Sequence, residues 1–160
     1  MRGPDVKKDP AAAGWETAFC AVSIGISLLA GACLYALDGR ASYLGEWIAA
    51  MVSLPEIPRQ SGIWTFLRNW GADFLWAYAL YFALYLSMGA HPSARMRAAV
   101  WGSVCMIFVE SLQLIQIPHL RCGTFDILDM VAGGIATGIA VLQLSIFQLI
   151  HRRRRDNEQR

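Results

Sequence analysis

Charge is scarce in this 160-residue chain: Asp, Glu, Lys and Arg together make 16% of it. The four cysteines, Cys20, Cys33, Cys105 and Cys122, show no close pairing and no metal-ligand spacing. The first three fall in apolar runs, where cysteine behaves as a small hydrophobe. Cys122 lies in a polar connection without any visible activating arrangement. No nucleophile stands beside a base, so no catalytic residue is assigned, and no cofactor or metal motif is present. No internal repeat is evident, and low complexity is confined to the two tails. These absences exclude a disulfide or zinc scaffold and leave an enzymatic reading without a nucleophile–base pair. The formal net charge of +2 carries little information because the charges are clustered.

What is present is apolar surface. Hydrophobic residues make 56% of the chain, in long blocks, with a mean hydropathy of +0.39. A helix needs roughly 20 mostly apolar residues to cross a bilayer core. Four segments meet this, at about 18–37, 70–88, 98–117 and 127–150. Spanning backbone must satisfy its own hydrogen bonds, so the expectation is an all-α integral membrane protein, a four-helix bundle over residues 15–150. The first run follows Lys7 and Lys8 and reads through Cys33 to Leu37, too long for a signal peptide, so it is expected to be retained.

Basic residues set the expected orientation. Arg2, Lys7 and Lys8 in the tail 1–14, Arg95 and Arg97 between the second and third spans, and Arg152 to Arg155 in the tail 151–160 all fall on one side. Arg40, Arg59, Arg68 and Arg121 fall on the other, fewer and farther from helix ends. The first side is therefore cytoplasmic and both termini are inside. The run Arg152 to Arg155 reads as a stop-transfer and an anchor to anionic lipid, so no nucleic-acid partner is expected. In the first external loop, Tyr43, Leu44, Trp47, Ile48 and Met51 recur at helical spacing. That stretch is too short to span and is expected as an interfacial helix, ended by Pro55 and Pro58.

This topology gathers polar residues at the outer side: Asn69, Asp73, Glu110, Gln113, His119, Arg121, Asp126 and Asp129. Asn69 and Asp126 can cap the second and fourth spans, and acids in a first turn suit the helix dipole. Glu110 caps nothing. It lies roughly 10 Å below the expected helix end at 1.5 Å per residue. An acid in hydrocarbon is costly, so Glu110 faces the bundle interior, is protonated, or meets a partner. Ser103, Met106, Glu110, Gln113 and Ile117 share a helix face by their spacing. Arg121 is the best candidate partner. Asp73, Glu110, Gln113, Arg121, Asp126 and Asp129 thus form one candidate ligand-binding set. A structural polar lock, a headgroup or small-ligand site, and a catalytic or divalent-cation site all remain open readings of it.

Two packing stripes complete the reading. Gly134-x-x-x-Gly138, with Ala132, Ala136 and Ala140 one register over, lets helices approach closely. Internal packing is the first expectation there, and a homo-oligomer the second. Tyr78, Tyr81, Phe82 and Tyr85 recur at helical spacing and are expected to pack rather than bind, with hydroxyls that need partners.

Asn69 to Asp73 before an apolar helix, Glu110-x-x-Gln113, Arg121 and the segment "GTFDILDMVAGGIATG" resemble the VanZ-like family of small bacterial membrane proteins. The likeness covers roughly residues 60 to 145. It departs where many members carry an asparagine after the second aspartate and this chain has Met130. The resemblance implies a multi-pass protein of the bacterial cytoplasmic (inner) membrane. The family's founding member is associated with tolerance of the glycopeptide teicoplanin. Taken with the polar set, the expected function is binding of an anionic or lipid-linked headgroup, such as a cell-wall precursor, at the outer face. The alternatives are a small membrane enzyme acting on a lipid-linked substrate, with Asp126 or Asp129 as base and Glu110 as buried acid, and a structural partner subunit of a membrane complex.

Overall fold

The computed structural model describes residues 10–38, 50–51, 62–89, 91, 93–114 and 126–158. Among them there is helix and no strand. Helix α1 runs Pro10–Asp38, and a short α2 covers Gly62–Phe66. A π-helical turn, Leu67–Gly71, leads into α3, Ala72–Ser87. Helix α4 is Ala94–Leu114 and α5 is Ile127–Glu158. The loop positions Tyr43, Leu44, Trp47 and Ile48, with Pro55 and Pro58, lie outside the described residues, as do His119, Arg121 and Cys122. Met51 is helical and exposed.

Helix α3 is the hub, packing against α1, α4 and α5. Its residues Ala77, Tyr81 and Tyr85 recur every fourth position, so they share one buried face. Phe82 joins them, edge-on to Tyr81 and to Tyr78, and the expected aromatic stripe is core. The helix ends at Met88, whose N–H donates to the Leu84 carbonyl, and Gly89 then takes a positive φ of 79° that a side chain would resist. On α4 the buried positions step by four: Ala94, Ala98, Gly102, Met106 and Glu110. Small residues let α4 lie close to α3, and Glu110 is the last described member of that packed row. On α5 the buried row is Gly133, Ala136, Thr137, Ala140 and Leu144.

The outward faces are as apolar as the inward ones. On α1 the buried side chains are Cys20, Ser23 and Ser27, while Val22, Ile26 and Leu29 are 59%, 63% and 67% exposed. Water selects the opposite arrangement. Helices α4 and α5 likewise expose Trp101, Val104, Ile107, Phe108, Ile135, Ile139 and Leu142. Contiguous apolar surface of that extent marks contact with something other than water. Two segments, Gly14–Leu34 and Ile127–Arg154, are long and apolar enough to cross a membrane.

Helix boundaries differ from the expected spans. Helix α1 starts eight residues before residue 18, at Pro10, and α4 starts at Ala94 rather than residue 98. The expected C-terminal tail 151–160 is helical as far as Glu158, because nothing between Ile127 and Glu158 breaks the helix. The glycine motif corrects more sharply. Gly134 and Gly138 face outward, and a Cβ on either would meet nothing within 4 Å. The close approach is one residue earlier. A Cβ on Gly133 would stand 2.5 Å from Met106 Cε and 3.5 Å from the Cβ of Ala77. Internal packing therefore uses Gly133, Ala136 and Ala140. The sequence spacing was degenerate between the two registers.

Candidate functional site

The α3 hub places Asp73 in its first turn, facing the row on α4 that ends in Glu110. Helices α1 and α4 lean on α3 from two sides, and a cleft of about 350 Å³ lies between them. Ser27, Gly31 and Ala32 of α1 form one wall, Ala72, Asp73 and Trp76 of α3 the floor, and Met106, Glu110 and Gln113 of α4 the other wall. The wall on α1 exists because its inner face carries small residues. Large side chains there would fill the space.

Glu110 is 3% exposed. Its Oε1 accepts from Gln113 Nε2 at 3.2 Å, one helical turn away, and its Oε2 is buried with no hydrogen-bond partner. An unmet charged oxygen in an interior is expensive and points to an occupant or a proton. Asp73 lies within electrostatic range of Glu110. Asp129, in the first turn of α5, lies within range of Asp73, Asp126 and Glu110, and its Oδ1 is also buried without a partner. Asp126 does what its position predicts. Its Oδ1 accepts from the N–H of Leu128 at 2.9 Å and caps α5. That leaves it at the margin of the site, outside the cleft wall. Of the six expected site residues, Asp73, Glu110 and Gln113 line one cleft, Asp129 sits beside it, Asp126 caps, and Arg121 lies outside the described residues.

Two expectations are corrected. Asn69 does not cap α3: it is exposed within the π-helical turn, and the cap position, Gly71, has no side-chain cap bond. Ser103 is exposed rather than on the polar stripe, because the buried row follows every-fourth spacing through Gly102. Ile117 lies outside the described residues. Among the described residues no group of three His, Cys, Asp or Glu side chains is placed to hold a metal ion.

The opposite end of the fold holds a second polar cluster that sequence reasoning missed. The Tyr85 hydroxyl and Gln148 Nε2 both donate to Glu16 Oε1, and Gln148 Nε2 also reaches Tyr85 Oη at 3.0 Å. One helix supplies each member: α1, α3 and α5. Tyr78 donates to Gln143 nearby, and Arg95 donates to Ser145 Oγ at 3.1 Å. Phe19 stacks on Phe147 beside this network, with centroids 4.2 Å apart. The unexplained glutamines at 143 and 148, inside an apolar helix, were the available signal. Tyr81 Oη is buried without a partner, and nothing in the structure explains it.

No family model, no curated protein and no solved structure matches the chain.

Proposed function

We propose that this chain is a multi-pass protein of the bacterial cytoplasmic membrane, VanZ-like in type, that binds the headgroup of an anionic or lipid-linked molecule at its outer side. In this reading α3 and α4 also span, making a four-helix membrane bundle with both termini in the cytoplasm. The reading is supported by the inverted polarity of α1, by the apolar outer faces of α4 and α5, and by the two helices long enough to cross. Helix α5 has 32 residues. At about 1.5 Å per residue it exceeds a hydrocarbon core of roughly 30 Å, so Arg152, Arg153 and Arg154 reach the headgroup layer.

The observation that carries the binding role is the half-partnered carboxylate of Glu110 in a cleft it shares with Asp73 and Gln113. A lock made only for stability gains nothing from an unmet oxygen, whereas a ligand's donor would complete it. Arg121 follows α4 in the chain and is proposed to hold the phosphate of the headgroup, which guanidinium geometry suits. The cleft takes the remainder. Any link to tolerance of teicoplanin-type glycopeptides would follow from occupancy of such an envelope lipid. The test is lipid analysis of protein purified in mild detergent. Wild type retains a stoichiometric lipid and Arg121→Ala loses it. Protein free of lipid under every salt and detergent condition overturns the reading.

A second reading is favoured by one observation, the bare face at Gly134 and Gly138. As a partner subunit the chain would meet a second copy there, by close backbone approach. Crosslinking in membranes tests it, and a monomer at every density of protein in lipid contradicts it.

A further inference from the structure

Both charged groups that line the cleft among the described residues are carboxylates. Glu110 offers Oε2, Asp73 offers its carboxylate, and Gln113 adds its carbonyl oxygen beside the Nε2 that donates to Glu110. Among the described residues no Lys, Arg or His lines this space. Trp76, one turn beyond Asp73 on the same side of α3, lines it as well and is 42% exposed. Two carboxylates and an indole lining one cleft supply the groups that suit an organic cation. Among the described residues no third His, Cys, Asp or Glu joins them in a group placed to hold a metal ion. The rim adds the source. Leu28 and Val109, at the edges of α1 and α4, are 53% and 41% exposed and apolar, so the opening is flanked by surface suited to acyl chains.

We infer that the cleft receives an ammonium group, carried by a phospholipid headgroup, with Glu110 and Asp73 as its counter-charges and Trp76 as its aromatic wall. This rests on the headgroup-binding reading above and gives the headgroup an amine beside its phosphate, zwitterionic rather than net anionic. The ammonium donates to Glu110 Oε2 and to Asp73, and the Gln113–Glu110 hydrogen bond holds the glutamate in its rotamer. A charged donor completes the buried oxygen better than a sugar hydroxyl, because it also offsets the two carboxylates in a medium of low dielectric.

The test uses the full chain in nanodiscs containing equal parts of phosphatidylethanolamine and phosphatidylglycerol, released for native mass spectrometry. Wild type is expected to keep one phosphatidylethanolamine. Glu110→Gln is expected to lower that retention about 10-fold or more, the scale of a lost charge-assisted bond. Asp73→Asn acts in the same direction, and Trp76→Leu lowers retention about 3- to 10-fold. Trp76 is partly exposed, so its variant tests the site even where a carboxylate variant folds poorly, and helical circular dichroism reports folding for each. Binding of free ethanolamine in lipid-free detergent, with the same Glu110 dependence, also upholds the ammonium and assigns it to a soluble amine. Preferential retention of phosphatidylglycerol overturns the ammonium while leaving a headgroup site standing. Retention of neither lipid removes both. Binding that arises only in Arg121→Ala overturns the inference, since Arg121 would then be the native occupant of the carboxylates.

Discussion

Two polar clusters at opposite ends of one helix bundle have opposite hydrogen-bond states. At one end Glu16 is met by Tyr85 and Gln148, each from a different helix. At the other, Glu110 receives only its own neighbour Gln113, and Oε2 of Glu110 and Oδ1 of Asp129 are buried and unmet. Both clusters contain an acid that hydrocarbon would reject. The first is satisfied by the fold and acts as a tie between α1, α3 and α5. The second has acceptor capacity left over and a cleft beside it. A satisfied network resists change, whereas an unsatisfied one in a cleft has room for a ligand.

The comparison can be broken by mutation. The largest effect is expected from Gly133→Leu, which forces a branched side chain against Met106 and Ala77 at the cleft end of the bundle. Overpacking of this kind costs about 1–3 kcal/mol, read from unfolding in detergent. The adjacent Gly134→Leu faces open space and is expected to stay within about 0.5 kcal/mol. Equal losses at the two positions would contradict the packing register.

Next comes Tyr85→Phe, which removes one donor from Glu16 and the acceptor at 3.0 Å from Gln148. Interhelical hydrogen bonds in membranes are modest, so a loss of about 0.6–1.7 kcal/mol is expected from the same unfolding experiment. No loss would mean the network around Glu16 is decorative. The smallest effect is expected from Asp126→Ala, which removes the cap on the Leu128 N–H. About 0.5–1 kcal/mol of stability should go, with lipid retention unchanged, since Asp126 stands outside the cleft wall. A loss of lipid instead would place Asp126 in the site.

Local signals carried some of this into the sequence. Run length located the helices, and the Glu110-x-x-Gln113 spacing placed both side chains on one turn, where they bond. Asp126 before an apolar run read correctly as a cap. What failed depended on partners remote in sequence or on near-equal alternatives. Glu16, Tyr85 and Gln148 are drawn together from three helices, and no local pattern links them. Gly134-x-x-x-Gly138 and Gly133 with Ala136 and Ala140 are rows of small residues about 150° apart around one helix. Only the contact with Met106 chooses between them. Asn69 looked like a cap because α3 was expected to start beside it, whereas the π-helical turn carries helical backbone past it.

The most direct test compares two isosteric substitutions in one detergent, Glu16→Gln and Glu110→Gln, by reversible unfolding of lipid-free protein. Glu16→Gln is expected to lose about 1–2 kcal/mol, because its carboxylate is engaged by two donors. Glu110→Gln is expected to stay within about 0.5 kcal/mol of wild type or to gain stability, because it removes a charge whose second oxygen nothing in the fold satisfies. If Glu110→Gln destabilises the lipid-free protein as much as Glu16→Gln does, Glu110 is a structural tie like Glu16 and the site is no site.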